Sequence, residues 1–169
     1  MAKVFGLELR AVRTVKTDDK YTVLQGSLYL GSTKIASVQT EKKGSDSAAQ
    51  LFMMYGCSEA ALRSHIEAGD MTVETMIDQF QWLQEMEQQY SSHAATACGV
   101  ACLHHQNGNV TMGIPTRLGA APEEQVLTEL QHFIEKNERE YGTCLGYAIF
   151  RRPEDFELGT PITLEALQA

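Results

Sequence analysis

Cysteine is scarce in this chain, with four residues in 169, and long apolar runs are missing altogether. Cys57, Cys98, Cys102 and Cys144 are too few for a disulfide-stapled scaffold and read as free thiols in a reducing cytoplasm. No apolar run approaches the roughly 18–20 residues needed to span a bilayer. The opening Met1-Ala2-Lys3-Val4-Phe5-Gly6 lacks the apolar stretch of a signal peptide, so no membrane role is expected. Positive charge is also in short supply: 14 Lys+Arg against 22 Asp+Glu give a net charge of −8. That balance excludes a coat of bulk nucleic acid, which needs a strong cationic excess.

The motifs of common enzyme classes are absent too. There is no Gly-x-Ser-x-Gly nucleophile elbow, no Gly-Lys-Ser/Thr phosphate loop, no Gly-x-Gly-x-x-Gly after a strand and no Cys-x-x-Cys. The acidic pairs Glu85/Glu87 and Glu123/Glu124 read as solvated helix faces. The resulting expectation is a non-enzymatic protein without a cofactor.

What is present is a foldable chain. A hydrophobic content of 43% over 169 residues supports one α+β domain over residues 1–153, followed by a weakly patterned tail, 154–169. Val4 to Val15 alternates as a strand with one buried side, and Tyr21–Leu30 and Lys34–Thr40 supply two more. The short turns between them predict an antiparallel meander. Ala48, Leu51, Phe52 and Met54 read as a short helix entered from Ser45 or Asp46 and closed at Gly56. Ser58 starts a second helix ending at Gly69. Val73, Met76, Ile77, Phe80, Leu83, Met86 and Tyr90 mark a third, at spacings of three and four. Thr96–His104 and Val110–Ile114 flank Asn107-Gly108, a hairpin signal. A helix then runs from Pro122 to Gly142, and Cys144–Phe150 forms the final strand. The order is β-β-β-α-α-α-β-β-α-β.

Charge is segregated along this order. Residues 1–45 hold eight basic and four acidic side chains, a net of +4, which leaves −12 for the remainder. Arg10, Arg13 and Lys34 fall on the meander. Lys42 and Lys43 precede Gly44 and an expected helix start, where exposed backbone amides hold phosphates well. Arg117, in a loop, completes a candidate anion-binding set. Cys98, Cys102, His104 and His105 gather thiol and imidazole chemistry in one stretch. On a strand, however, Cys98 and Cys102 stand about 13 Å apart, too far to share one metal ion. Phe80, Trp82 and Met86 are the expected interface residues, since Trp82 lies off the apolar stripe of its helix and methionine lines adaptable surfaces.

The stretch Gly26-Ser27-Leu28-Tyr29-Leu30-Gly31-Ser32-Thr33-Lys34-Ile35-Ala36-Ser37-Val38-Gln39, with Lys43-Gly44 after it, resembles the opening of small phage and mobile-element accessory proteins. The resemblance covers about the first 50 residues. It implies a small binding protein of the anti-defence inhibitor type, one that blocks a host effector protein or sequesters a small nucleotide signal. The expected partners are a small phosphorylated ligand or a protein effector, and the helix that carries Phe80, Trp82 and Met86 is the expected seam of a homo-oligomer. Two further readings stand beside it. One is a metal- or thiol-dependent enzyme built on Cys98, Cys102, His104 and His105, and the other is a self-associating structural subunit.

Overall fold

The computed structural model describes the chain except residues 19–20, 45, 55, 94–98 and 114–121, and leaves out the side chains of 15–18, 93 and 123. Among the described residues the fold is α+β, with nine strands in two sheets and four α-helices. The chain divides into two compact units. The first holds residues 1–83 and 157–169, and the second holds 84–156.

The first unit opens with β1 (Lys3–Val4), β2 (Leu7–Asp18), β3 (Tyr21–Leu30), β4 (Thr33–Lys43) and β5 (Asp46–Met53). The expected single strand from Val4 is split at its start. Phe5 (φ 54°) and Gly6 (φ 76°) make a two-residue turn that pairs Val4 with Leu7, the conformation that a right-twisted hairpin favours. The meander itself is as the alternation predicts, with each strand antiparallel to the next. One face of the sheet is apolar: Leu9, Leu28 and Ala36 lie in one cross-strand row, and Val38 and Leu51 in the next.

The first expected helix is a strand. Residues 46–53 pair along β4, with Ala49 opposite Thr40, Leu51 opposite Val38 and Met53 opposite Ala36. The alanines give this segment helical propensity. Its Ala49–Leu51–Met53 alternation nevertheless fits a free edge of β4, and tertiary pairing outweighs local preference.

Next come α1 (Glu59–Ala68) and α2 (Val73–His93). Ser58 caps α1 through the Ala61 N–H, 3.2 Å away, and Thr72 accepts the Thr75 N–H at the start of α2. The chain's end closes this unit. β9 (Glu157–Leu158) pairs parallel with β1, and α4 (Leu164–Gln168) packs against α1. The tail expectation thus covers ordered elements, among them a 3₁₀ turn at Pro153–Phe156.

The second unit takes the C-terminal half of α2. It adds β6 (Val100–His105), β7 (Val110–Gly113), α3 (Glu123–Tyr141) and β8 (Cys144–Phe150). The Asn107-Gly108 hairpin forms as expected, with Gly108 at φ 82°. The sheet order is β7-β6-β8. Ala101 and Leu103 of β6 form its core with Val126 and Leu130 of α3. Among the described residues no helix is long and apolar enough to cross a membrane.

Candidate functional site

Opposite the apolar face, the first sheet presents a polar one, and strand register fixes what stands there. Arg13, Gln25, Gln39 and Gln50 form one cross-strand row, and Arg10, Ser27, Ser37 and Phe52 form the next. Of these rows, Arg13, Gln25, Gln39, Ser27, Ser37 and Phe52 line a shallow depression of about 330 Å³. Its floor is open because Ser27 and Ser37 are small. At its rim β2 carries a bulge between Arg10 and Arg13, with Ala11 at φ 54°. Such a bulge adds twist and re-aims the residues beyond it. Gly26, behind the floor, keeps the strands close: a Cβ there would stand 2.8 Å from Cδ1 of Leu9.

The polar groups are ordered by one another. The Gln25 amide donates to Gln39 Oε1 (3.1 Å), and Gln39 donates to Glu41 Oε1 (3.0 Å). Glu41 also accepts from Tyr21, which holds the phenol above its ordinary pKa. Phe52 stands 55% exposed on the edge strand.

The six cations of the expected anion set are distributed unevenly. Arg13 pairs with Gln25 through its strand and lines the depression, and its exposed guanidinium has no hydrogen-bond or ionic partner among the described residues. Arg10 is on the same face but already engaged. Its guanidinium holds Glu8 Oε2 through Nε (2.9 Å) and Nη2 (2.6 Å), donates to the Gly31 carbonyl (2.9 Å), and lies 4.4 Å from the Tyr29 ring centre. Lys34 sits opposite Tyr29, and Lys43 is exposed at the end of β4. Lys42 is turned to the other face by strand alternation and donates to Asp78 Oδ1 at 2.6 Å. The expected phosphate loop before a helix is therefore corrected. Lys42 and Lys43 are strand residues, Gly44 (φ 63°) opens a tight turn into β5, and no helix N-terminus follows. Arg117 lies outside the described residues.

Among the described residues the thiol and imidazole groups of this stretch do not converge on one centre. Cys102 is buried and His104 is exposed. His105 is buried, with Nδ1 2.7 Å from the Gly142 carbonyl, Nε2 2.9 Å from the Thr111 hydroxyl, and its ring beside Tyr141. Both ring nitrogens are thus committed to structure. Among the described residues no group of three His, Cys, Asp or Glu is placed to hold a metal, and Cys98 lies outside them. Of the expected interface residues, Phe80 and Met86 are both 0% exposed, so they belong to the core and offer no surface. Trp82 is half-buried and in contact with other groups.

Sequence reasoning missed Phe52, Gln25, Gln39, Ser27 and Ser37. The signal was the polar half of the strand alternation, which marks a face left open; Phe52 was hidden by the helical reading of its segment. No protein-family model, no curated protein and no solved structure matches the chain.

Proposed function

We propose that this chain is a small, non-catalytic binding protein that captures a phosphorylated small molecule of the nucleotide class on the open face of its first sheet. The observation that carries the reading is Arg13: a guanidinium with no partner among the described residues, set in a depression with Ser27 and Ser37 on its floor and exposed Phe52 at its far side. A guanidinium meets phosphate oxygens in a fork of charge-assisted hydrogen bonds. Serine hydroxyls and glutamine amides donate to, or accept from, a sugar and a base edge, and an exposed aromatic ring stacks on a base. The volume is in the range of small-molecule sites. Arg10, engaged by Glu8 and Tyr29, stands outside the lining, which leaves Arg13 as the cation of the depression.

Capture without turnover suits a protein that titrates a nucleotide signal in the cytoplasm, the behaviour implied by the resemblance of residues 26–44 to phage anti-defence inhibitors. The test is calorimetric titration with linear and cyclic nucleotides. Binding is expected to weaken as salt rises. Arg13→Ala should raise Kd about 10- to 100-fold, matching the roughly 1.5–3 kcal/mol of hydrogen bonds to a charged group. Absence of heat and of any thermal stabilisation across the whole panel overturns the reading.

A further inference from the structure

The face of the first sheet that turns toward α2 changes character along its length. One row carries Val38 and Leu51, both buried; the next carries Thr14, Leu24 and Thr40, and the one after it Thr22 and Lys42. With Gln81 of α2, the residues of the last two rows line a cavity of about 200 Å³, which shares no lining residue with the depression on the opposite face. Threonine is β-branched like valine and suits a strand equally, so strand formation does not explain three hydroxyls here. Thr40 is 4% exposed, and its hydroxyl has no hydrogen-bond partner among the described residues. Every fully enclosed side-chain nitrogen or oxygen among them is partnered, so the Thr40 oxygen opens into the cavity. A buried hydroxyl left without a partner costs stability. The Thr14 and Thr22 hydroxyls and the Gln81 amide also have no partner among the described residues, whereas Lys42 is committed to Asp78 Oδ1 at 2.6 Å.

We propose that this cavity binds a small neutral polyhydroxylated molecule, a monosaccharide or a cyclic polyol. The lining selects against ions. Its charged side chain, Lys42, is neutralised by Asp78, so a phosphate or carboxylate entering here meets no uncommitted cation to form a charge-assisted bond. Hydroxyls that each donate and accept, beside an amide that does both, match a ring of neighbouring hydroxyls with the same dual capacity. Leu24, 5% exposed, offers an apolar contact to the C–H face of such a ring. The volume is that of about six or seven waters. It lies below the roughly 300 Å³ at which sites for drug-sized ligands begin, which excludes a nucleotide. On entry the ligand gives the Thr40 hydroxyl the partner that the fold does not supply, while the half-exposed Lys42–Asp78 pair borders the solvent side.

Titration of the isotope-labelled full chain with glucose, galactose and myo-inositol, followed by backbone amide NMR shifts, tests this. At least one probe should shift the amides of Thr14, Thr22, Leu24, Thr40, Lys42 and Gln81 together, with a Kd of about 0.1–10 mM. Thr40→Val removes the hydroxyl at nearly constant shape. It should raise that Kd about 3- to 10-fold and leave the thermal midpoint unchanged or higher, because an unpartnered buried hydroxyl has gone. Gln81→Ala, at an exposed position of α2, should weaken binding about 3-fold or more with an unchanged circular dichroism spectrum. Three results overturn the proposal. One is the absence of shifts at the lining with every probe up to about 100 mM, which would leave the cavity to water alone. Another is a Kd that neither variant changes. The third is a lowered midpoint for Thr40→Val, which would give the hydroxyl a structural role. No nucleotide enters the titration, so each result is independent of binding on the opposite face.

Discussion

Glu74 reaches from the first turn of α2 to the edge of β5, and its ionisation is tied to that reach. Burial is the largest influence on this carboxyl and opposes its charge. Against it stand the N–H groups of Glu74 itself and of Ala49, the Thr72 hydroxyl and the charge of Arg63, and together they hold the pKa below the ordinary carboxylate value. A carboxyl whose folded pKa is depressed stabilises the fold at pH above its unfolded value, and this contribution is lost as pH falls through the folded one. Glu74→Gln should therefore cost about 1 kcal/mol at neutral pH, from a hydrogen bond that has lost its charge. The gap to wild type should close as the solution is acidified below the unfolded carboxylate pKa. Urea denaturation at a series of pH values measures both, and a pH-independent gap would contradict this account. Nothing in the sequence singles out this residue. A glutamate on the polar stripe of an amphipathic helix looks like any solvated charge, and only the tertiary placement of β5 converts it into a backbone ligand.

At the scale of elements, the meander, α1, α2, the hairpin, α3 and β8 were all legible, because each buries one face and advertises it by its period. β5 was not. Its alanines and the close run Leu51-Phe52-Met53-Met54 satisfy helical and extended templates alike, and a short apolar run does not discriminate between them. The misreading carried the site with it, by inventing a helix start after Lys43 and putting Phe52 on a helix instead of an open sheet face. The two assignments differ in their consequences for stability. In the edge strand Leu51 is 8% exposed and Phe52 55%. Leu51→Ala should then cost about 2–3 kcal/mol, near the low end for aliphatic truncation because the site is at an edge. Phe52→Ala should stay within about 0.5 kcal/mol of wild type while weakening nucleotide binding. A pair of chemical-denaturation curves separates them; equal losses would place both residues in the core and remove Phe52 from the site.

For the whole molecule, the net charge of −8 is a poor guide to ligands, since the cations are concentrated on the strands that build the open face. Chain order is a poor guide to architecture as well, because the last thirteen residues return to the unit that the first residues begin. The return is dense in interactions. The Phe5 N–H donates to the Leu158 carbonyl (2.6 Å), the Ile162 N–H to the Phe5 carbonyl (2.9 Å), and the Ser58 N–H to the Leu167 carbonyl (2.6 Å). Phe5 accepts a positive φ and is 2% exposed. Its ring lies where a Cβ on Gly159 would come to 2.4 Å, so the strained turn at Phe5 is held in part by the C-terminal segment. Ile162 and Leu167 are 4% and 0% exposed. Their sequence signal is faint because the segment is short and broken by Gly159 and Pro161, which leaves no period long enough to reveal a face. Burying two such side chains stabilises by about 3–6 kcal/mol, against a total of roughly 5–15 kcal/mol for a typical domain. Removing residues 157–169 should therefore shift the denaturation midpoint strongly or leave the first unit unfolded, as followed by circular dichroism in urea. A segment that merely trailed from the fold could be removed at no cost, and an unchanged midpoint would show that the N-terminal hairpin holds its conformation without it.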